Sequence, residues 1–245
     1  MSNVEGQPSL SATSEFMKKA QAVSTITVEV KGLRGALDYL LKVTSQAAPA
    51  SLLPTKSSEF AQGPNQDQKQ DFGGAQNQDL GQAQKQAPAG APEQASGQVN
   101  DLTSPRKKLM AVPGLSQEDL AYLEKKASEL GFGLIRGGLR ERLAGFEVAF
   151  SVAAFGIAET ATCVLENESE DSRLAGMLAE THVVALDKKN LFETSREALG
   201  VLEKALERPA NFVSFISGPS RTSDIERVLS LGVHGPFHFH VALMD

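Results

Sequence analysis

The chain has 245 residues, of which 41% are hydrophobic, 22% charged and 6% aromatic, with no tryptophan and a formal net charge of −6. That length holds one large domain or two small ones, and an acidic chain repels a phosphate backbone, which argues against general nucleic-acid binding. The single cysteine, Cys163, excludes an intrachain disulfide and a self-contained iron–sulfur cluster or Cys-based zinc site, and no apolar run reaches the length of about 18 residues that marks a membrane span.

The opening residues, MSNVEGQPSLSATSEF, lack a basic start followed by an apolar stretch, so no secretory signal is expected and the chain reads as cytoplasmic. SEFMKKAQAVSTITVEV then predicts a helix followed by an alternating strand over Ile26 to Val30. Leu33, Leu37, Leu40 and Leu41 recur at helical spacing, which makes LRGALDYLLKVTS a second helix. The composition then changes. Residues 46–104, dominated by Gln, Gly, Ala, Asn and Pro, cannot bury enough surface to offset their ordering entropy. They read as a disordered insertion between two parts of one domain, 14–45 and 105–245. Phe60, Phe72 and Leu80 are the anchors it would offer a partner.

Beyond the insertion, KKLMAVPG predicts a short strand stopped by Pro113-Gly114. SQEDLAYLEKKASELG predicts a helix, with Ser116 and Asp119 as a capping-box-like start and Gly131 as the stop. GFGLIRG and GFEVAFSVAAFG are strand-rich. VAFSVAAFGIAETATCVLE places no helix between its apolar runs and predicts a hairpin. HVVALD, the helix LFETSREALGVLEKALE, the strand NFVSFISG, a helix from Ser223 and a final strand FHFHVALMD follow. Helices alternate with near-continuous apolar strands. This predicts an α/β domain whose mixed or mostly parallel sheet is covered by helices on both faces.

In such sheets ligands gather beyond the carboxyl ends of strands. Strand FVSFI runs into Ser217, Gly218, Pro219, Ser220, Arg221, Thr222, Ser223 and Asp224. Gly218 permits close approach, Ser223 and Glu226 match a capping box, and free N–H groups at that helix start suit an anion. Arg221 either pairs a carboxylate or phosphate ligand or pairs Asp224 or Glu226, and spacing does not choose between them. In GIAETATCVL, Glu159 is either a desolvated base or nucleophile at a strand end or a turn residue, with Thr160 and Thr162 pairing across a hairpin. His234, His238 and His240 lack a companion carboxylate at fixed spacing, so no metal site is expected, and Cys163 reads as a buried, inert thiol. No phosphate-binding loop or nucleophile elbow occurs.

SGPSRTSDIERVLSLGVHGPFHFHVALMD resembles the C-terminal signature of the LUD-domain family, lactate-utilisation protein C group. That signature is a T/S-G-P-S-x-T-x-D-I-E block, a G-V-H-G-P block and a terminal strand. FGIAETATCVLE resembles the family's A-E/D-T-G-T segment and ETHVVALD its His-then-strand segment. The resemblance covers about residues 106–245 and, more weakly, 14–45. Ala161 stands where the pattern has glycine, AGMLAET replaces a proline-rich lead-in to His182, and the Gln-rich insertion is not part of the pattern.

The resemblance implies a fold like the sugar-isomerase and coenzyme-A-transferase group, with the site at strand ends. It also implies a role in oxidising L-lactate to pyruvate alongside Cys-rich iron–sulfur partner subunits. No cofactor is then expected in this chain, which would serve as an accessory or substrate-handling subunit. Arg221 would pair a small carboxylate and the Ser223 helix start would donate N–H groups. Ser217, Gly218, Ser220, Thr222, Asp224 and Gly235 would complete the pocket. Glu159, Thr160 and Thr162 would face it, with His182 and His234 handling protons. Two other readings stand beside this one: a stand-alone acyl- or coenzyme-A-transferase or sugar-phosphate isomerase using Glu159, and a binding module working through the Gln-rich arm. Association of identical subunits is compatible with all three.

Overall fold

Ala12, Phe16 and Ala20 recur every fourth residue of helix α1 (Leu10–Ala22) and form one buried stripe. The computed structural model describes residues 10–48, 107–142, 145–207, 212–222, 230–232 and 234–245. A turn at Ser24, with φ of +60°, leads from α1 to strand β1 (Thr25–Val30), and α2 (Gly32–Gln46) follows, burying Leu37, Leu40 and Leu41. The insertion expected at 46–104, with Phe60, Phe72 and Leu80, lies outside the described residues from 49 onward. The described residues on either side of it belong to one compact unit.

The chain continues with β2 (Leu109–Ala111), α3 (Gln117–Glu129), β3 (Gly133–Ile135), β4 (Phe146–Val152), β5 (Phe155–Ile157) and β6 (Thr162–Asn167). Then come α4 (Glu170–Leu178), β7 (Ala179–Asp187), β8 (Leu191–Phe192), α5 (Ser195–Leu206) and β9 (Phe212–Ile216). The short strands β10 (Arg221–Thr222) and β11 (Ser230–Leu231) precede β12 (His238–Met244). The Ser116 hydroxyl accepts from the Asp119 N–H at 3.1 Å, so α3 starts at the expected cap. Helix α4 has no counterpart among the sequence expectations. Its start is marked all the same, since Ser169 caps it by accepting from the Ser172 N–H at 3.1 Å.

Six strands form a central sheet in the order β1-β12-β7-β4-β2-β3, and every pairing in it is parallel. Alternation along the strands sorts the core into two layers. Met110, Val148, Phe150, Val183, Ala185 and Ala242 meet α2 and α3. On the other face, Val184, Leu186, Phe239, Val241 and Leu243 meet α1 and β6, while Ala149 meets Ala175 of α4. The sheet is therefore covered on both sides, as its apolar strands require.

The expected hairpin forms, with Phe155 opposite Val164 and Ile157 opposite Thr162. It does not extend the central sheet. The chain leaves that sheet at Ala153-Ala154, and β5 and β6 build a second, four-stranded sheet in the order β8-β5-β6-β9. Gly156 is closely packed after this crossover, since a Cβ there would lie 2.6 Å from Leu186 Cδ2. Among the described residues no helix is long and apolar enough to cross a membrane.

Candidate functional site

The register of β6 with β9 sets Cys163 opposite Ile216, which brings Thr162 beside Ser217. Their hydroxyls share a hydrogen bond of 2.6 Å, and Thr162 shares another of 2.7 Å with Thr160. Gly218 follows at φ +85°, where a Cβ would meet the Val23 carbonyl oxygen at 2.7 Å. Only glycine lets this loop close on the α1–β1 turn. Arg221 completes the contact, donating from Nη2 to the Val23 carbonyl and to Ser24 Oγ, both at 2.8 Å. Gly218→Ala is expected to destabilise the fold by about 2 kcal/mol through left-handed strain and crowding, measured by urea denaturation of the full chain.

The two Gly-Pro segments, Gly218-Pro219 and Gly235-Pro236, meet. The Ser220 N–H donates to the Pro236 carbonyl at 2.9 Å, the Gly232 N–H donates to the Ser220 carbonyl at 2.9 Å, and a Cβ on Gly235 would stand 3.1 Å from Ser220 Cβ. His234 is exposed, its N–H donating to Ser220 Oγ at 3.4 Å. Thr222 pairs with Ser230 in the β10–β11 ladder, so the chain turns back on itself there. Ser223 and Asp224, with the helix expected from Ser223, lie outside the described residues.

These segments close one end of a cleft of about 690 Å³. One wall is α4, through Arg173, Gly176 and Met177. The other is the face of β6 and β9 that carries Leu165, Asn167, Phe212, Ser214 and Ile216. Asn167 Nδ2 donates to Ser214 Oγ at 2.9 Å and to the Phe212 carbonyl at 3.1 Å, tying the ends of this wall together. Gly218, Ser220, Arg221, His234 and Gly235 line the end of the cleft. Three guanidinium groups (Arg140, Arg173 and Arg221) and one carboxylate (Glu170) are among its described lining. Glu170 accepts from Arg140, which holds its carboxyl below the usual carboxylate range, and it lies 3.8 Å from Arg173. Sequence reading missed Arg140 and Arg173 because they lie on separate segments that only the fold brings into one cleft with Arg221.

The cleft is at the carboxyl end of β9, but in the central sheet it faces the amino ends of β7 and β12, where the Phe237 N–H donates to the Glu180 carbonyl at 2.9 Å. At the carboxyl ends of β1, β7 and β12, Lys188 instead bridges Glu29 and Asp245. The cleft therefore lies at a carboxyl strand end in the second sheet and at amino strand ends in the central one.

Glu159, Thr160 and Thr162 are not among the described residues lining the cleft. Glu159 sits on a single helical turn, and its Oε1 accepts from the Ser195 N–H at 2.7 Å and the Ser195 hydroxyl at 2.6 Å. These bonds hold its carboxyl below the usual range, opposite to the desolvated, raised state expected of a buried base. Its observed role is to satisfy the start of α5. Cys163 is fully buried, and burial pushes its thiol up to about 12, which disfavours the thiolate. His240 Nδ1 and the Tyr39 hydroxyl share a hydrogen bond of 2.9 Å, and no group of three His, Cys, Asp or Glu among the described residues could hold a metal ion.

His182 lies beneath the cleft. It is fully buried, shares a hydrogen bond of 2.9 Å between Nε2 and Ser151 Oγ, and packs edge-on against Phe239. Its Nδ1 has no partner among the described residues. Gly176 covers it, since a Cβ there would stand 3.1 Å from Cε1 and 3.3 Å from Nδ1. Desolvation pushes the imidazole down to about 4, so it is neutral at physiological pH.

The LUD domain family model matches residues 13–244. The chain belongs to the LUD domain family. A lactate utilization protein C from Geobacillus thermodenitrificans is 32% identical over 92 residues, which is 36% of this chain and 38% of that protein. One from Bacillus pumilus is 31% identical over 105 residues, covering 42% and 43% respectively. An uncharacterized protein from Neisseria meningitidis is 35% identical over 98 residues, covering 39% and 41%. Each match thus spans less than half of the relative's length. The fold of this LUD domain is similar to that of a DUF162 family protein from Deinococcus radiodurans, with a TM-score of 0.52 and 12% identity over 96% of this chain and 97% of that one.

The LUD pattern's glycine after E-T now has a physical reason. Ala161 occupies that position with φ +50° and ψ +41°, left-handed and fully buried. A Cβ in this region costs roughly 1–2 kcal/mol, which glycine avoids.

Proposed function

We propose that this LUD-domain protein is a substrate-handling subunit of an iron–sulfur-dependent system that oxidises L-lactate to pyruvate, holding the small carboxylate in the arginine-lined cleft. The observation that carries this reading is electrostatic. A chain of net charge −6 places three guanidinium groups against one carboxylate among the described residues of a single cleft. Guanidinium groups recognise carboxylates in bidentate fashion. Arg221 uses Nη2 to grip the α1–β1 turn, and a guanidinium carries five N–H donors, so the grip orients the group toward a ligand rather than exhausting it. The relatives named lactate utilization protein C supply the pathway. Iron–sulfur clusters are held by Cys thiolates, and the single buried Cys163 does not fit one, so the clusters belong to partner subunits.

Thermal-shift titration tests the reading. L-lactate or pyruvate is expected to raise the melting temperature with concentration. Arg221→Ala is expected to weaken binding by about 10- to 100-fold, the worth of a hydrogen bond to a charged group. Arg173→Ala, which leaves the α1–β1 grip intact, is expected to weaken it as well. Unchanged affinity in both variants would remove the carboxylate-handling role.

A further inference from the structure

The cleft is larger than its proposed substrate needs. At about 690 Å³ it falls in the range of roughly 300–1,000 Å³ that encloses drug-sized ligands, and a three-carbon acid leaves most of it empty. The lining also carries exposed apolar side chains. Phe212 and Met177 both line it, and they are 51% and 48% exposed. Single exposed apolar side chains are ordinary, but these two face one recess from opposite walls, β9 and α4. Arg173 stands over the Phe212 ring at 4.9 Å from its centroid, so a cation and an aromatic ring are presented together.

We infer that the cleft has a second subsite, at Phe212, Met177 and Arg173, which takes a planar aromatic ring carrying an anionic group. The ring packs against the part of Phe212 that Arg173 leaves open and against the Met177 thioether, which is polarizable and adapts to ring edges. The anionic group meets the Arg173 and Arg140 guanidiniums. Glu170, which pairs with both, keeps these two cations in place and disfavours a cationic ring. A protein side chain inserted from a partner would satisfy Phe212 and Met177 as well. The arginines around the recess favour the small aromatic anion instead.

This inference rests on the proposed reading, with which it shares Arg173, and probes with and without a ring let the two fail separately. The probes for calorimetric titration of the full chain are L-lactate, inorganic phosphate and ribose 5-phosphate, which have no aromatic ring, and AMP and benzoate, which do. AMP is expected to bind about tenfold or more tightly than ribose 5-phosphate, the usual worth of stacking one base on an aromatic side chain. Phe212→Ala is expected to abolish that margin, with any loss of L-lactate affinity through Arg173 matched for ribose 5-phosphate, and Met177→Ala to reduce it. Comparing benzoate with AMP tells an aromatic carboxylate from an aromatic phosphate. Equal affinity for AMP and ribose 5-phosphate, with no benzoate binding, overturns the subsite. So does a Phe212→Ala variant that weakens ring-bearing and ringless anions alike. If L-lactate binds and neither aromatic anion does, the carboxylate reading stands and the subsite falls; the reverse result keeps the subsite and removes lactate.

Discussion

Phe16→Ala is expected to destabilise the protein by about 3–5 kcal/mol, the range for removing a fully buried phenylalanine. Phe16 has no exposed surface and packs with Ala12 and Ala20 of its own helix against a layer that includes Val241, Leu243 and Phe239 of the last strand. Its ring joins the first helix to the far end of the sequence. Urea denaturation of the full chain checks this, with the midpoint falling and the slope unchanged. A loss below about 1 kcal/mol would mean that α1 is not docked as described. The same substitution should also loosen the cleft, because the turn after α1 supplies the Val23 carbonyl and Ser24 hydroxyl that hold Arg221.

Acid is expected to cost about 3 kcal/mol through His182 alone. Burial holds this imidazole at about 4 in the folded protein, against an ordinary value of 6.5. Above pH 6.5 neither the folded nor the unfolded chain protonates it, and it adds no pH dependence. Between 6.5 and 4 the unfolded chain takes up the proton and the folded chain does not. Stability therefore falls by about 1.4 kcal/mol for each pH unit, then levels off below the folded value. His240, also pushed down to about 4 by burial and then by His238, acts in the same direction. The check is the urea midpoint from pH 7 to 4.5 in wild type and His182→Gln. The variant should show a shallower decline, and an identical decline would show that the proton goes elsewhere.

Local pattern carried far in this chain because most elements announce themselves within a few residues. The leucines of α2, the Ser116 cap of α3 and the apolar run of β12 all needed only their own neighbours. Helix α4 escaped notice because it is short and its buried contribution centres on Ala175, too weak a stripe to stand out. The division into two sheets escaped because Ala153-Ala154, the step between them, looks like any other pair within an apolar run. At the site, Ser217 to Arg221 and Gly235 could be read from their loop chemistry. Their meeting with Arg140 and Arg173 depends on tertiary packing and has no local sign. Glu159 was the opposite case. Apolar neighbours suggested burial, yet the turn lifts its carboxylate to Ser195, a partner 36 residues away.

The place of β12 also sets an order of events during synthesis. Strand β1 hydrogen-bonds to β12 within the central sheet, and β12 is also what joins it to β7. Strand β1, Thr25–Val30, therefore waits until β12, which begins at His238, has been made before its partner exists. Pairings this distant in sequence are slow, because chain entropy is lost before any contact rewards it. Until then β7 has an open edge and β1 has no strand beside it, which are conditions that favour aggregation and the attention of chaperones. The nascent protein is thus vulnerable until β12 has emerged, and slow refolding from denaturant is the laboratory counterpart of that delay.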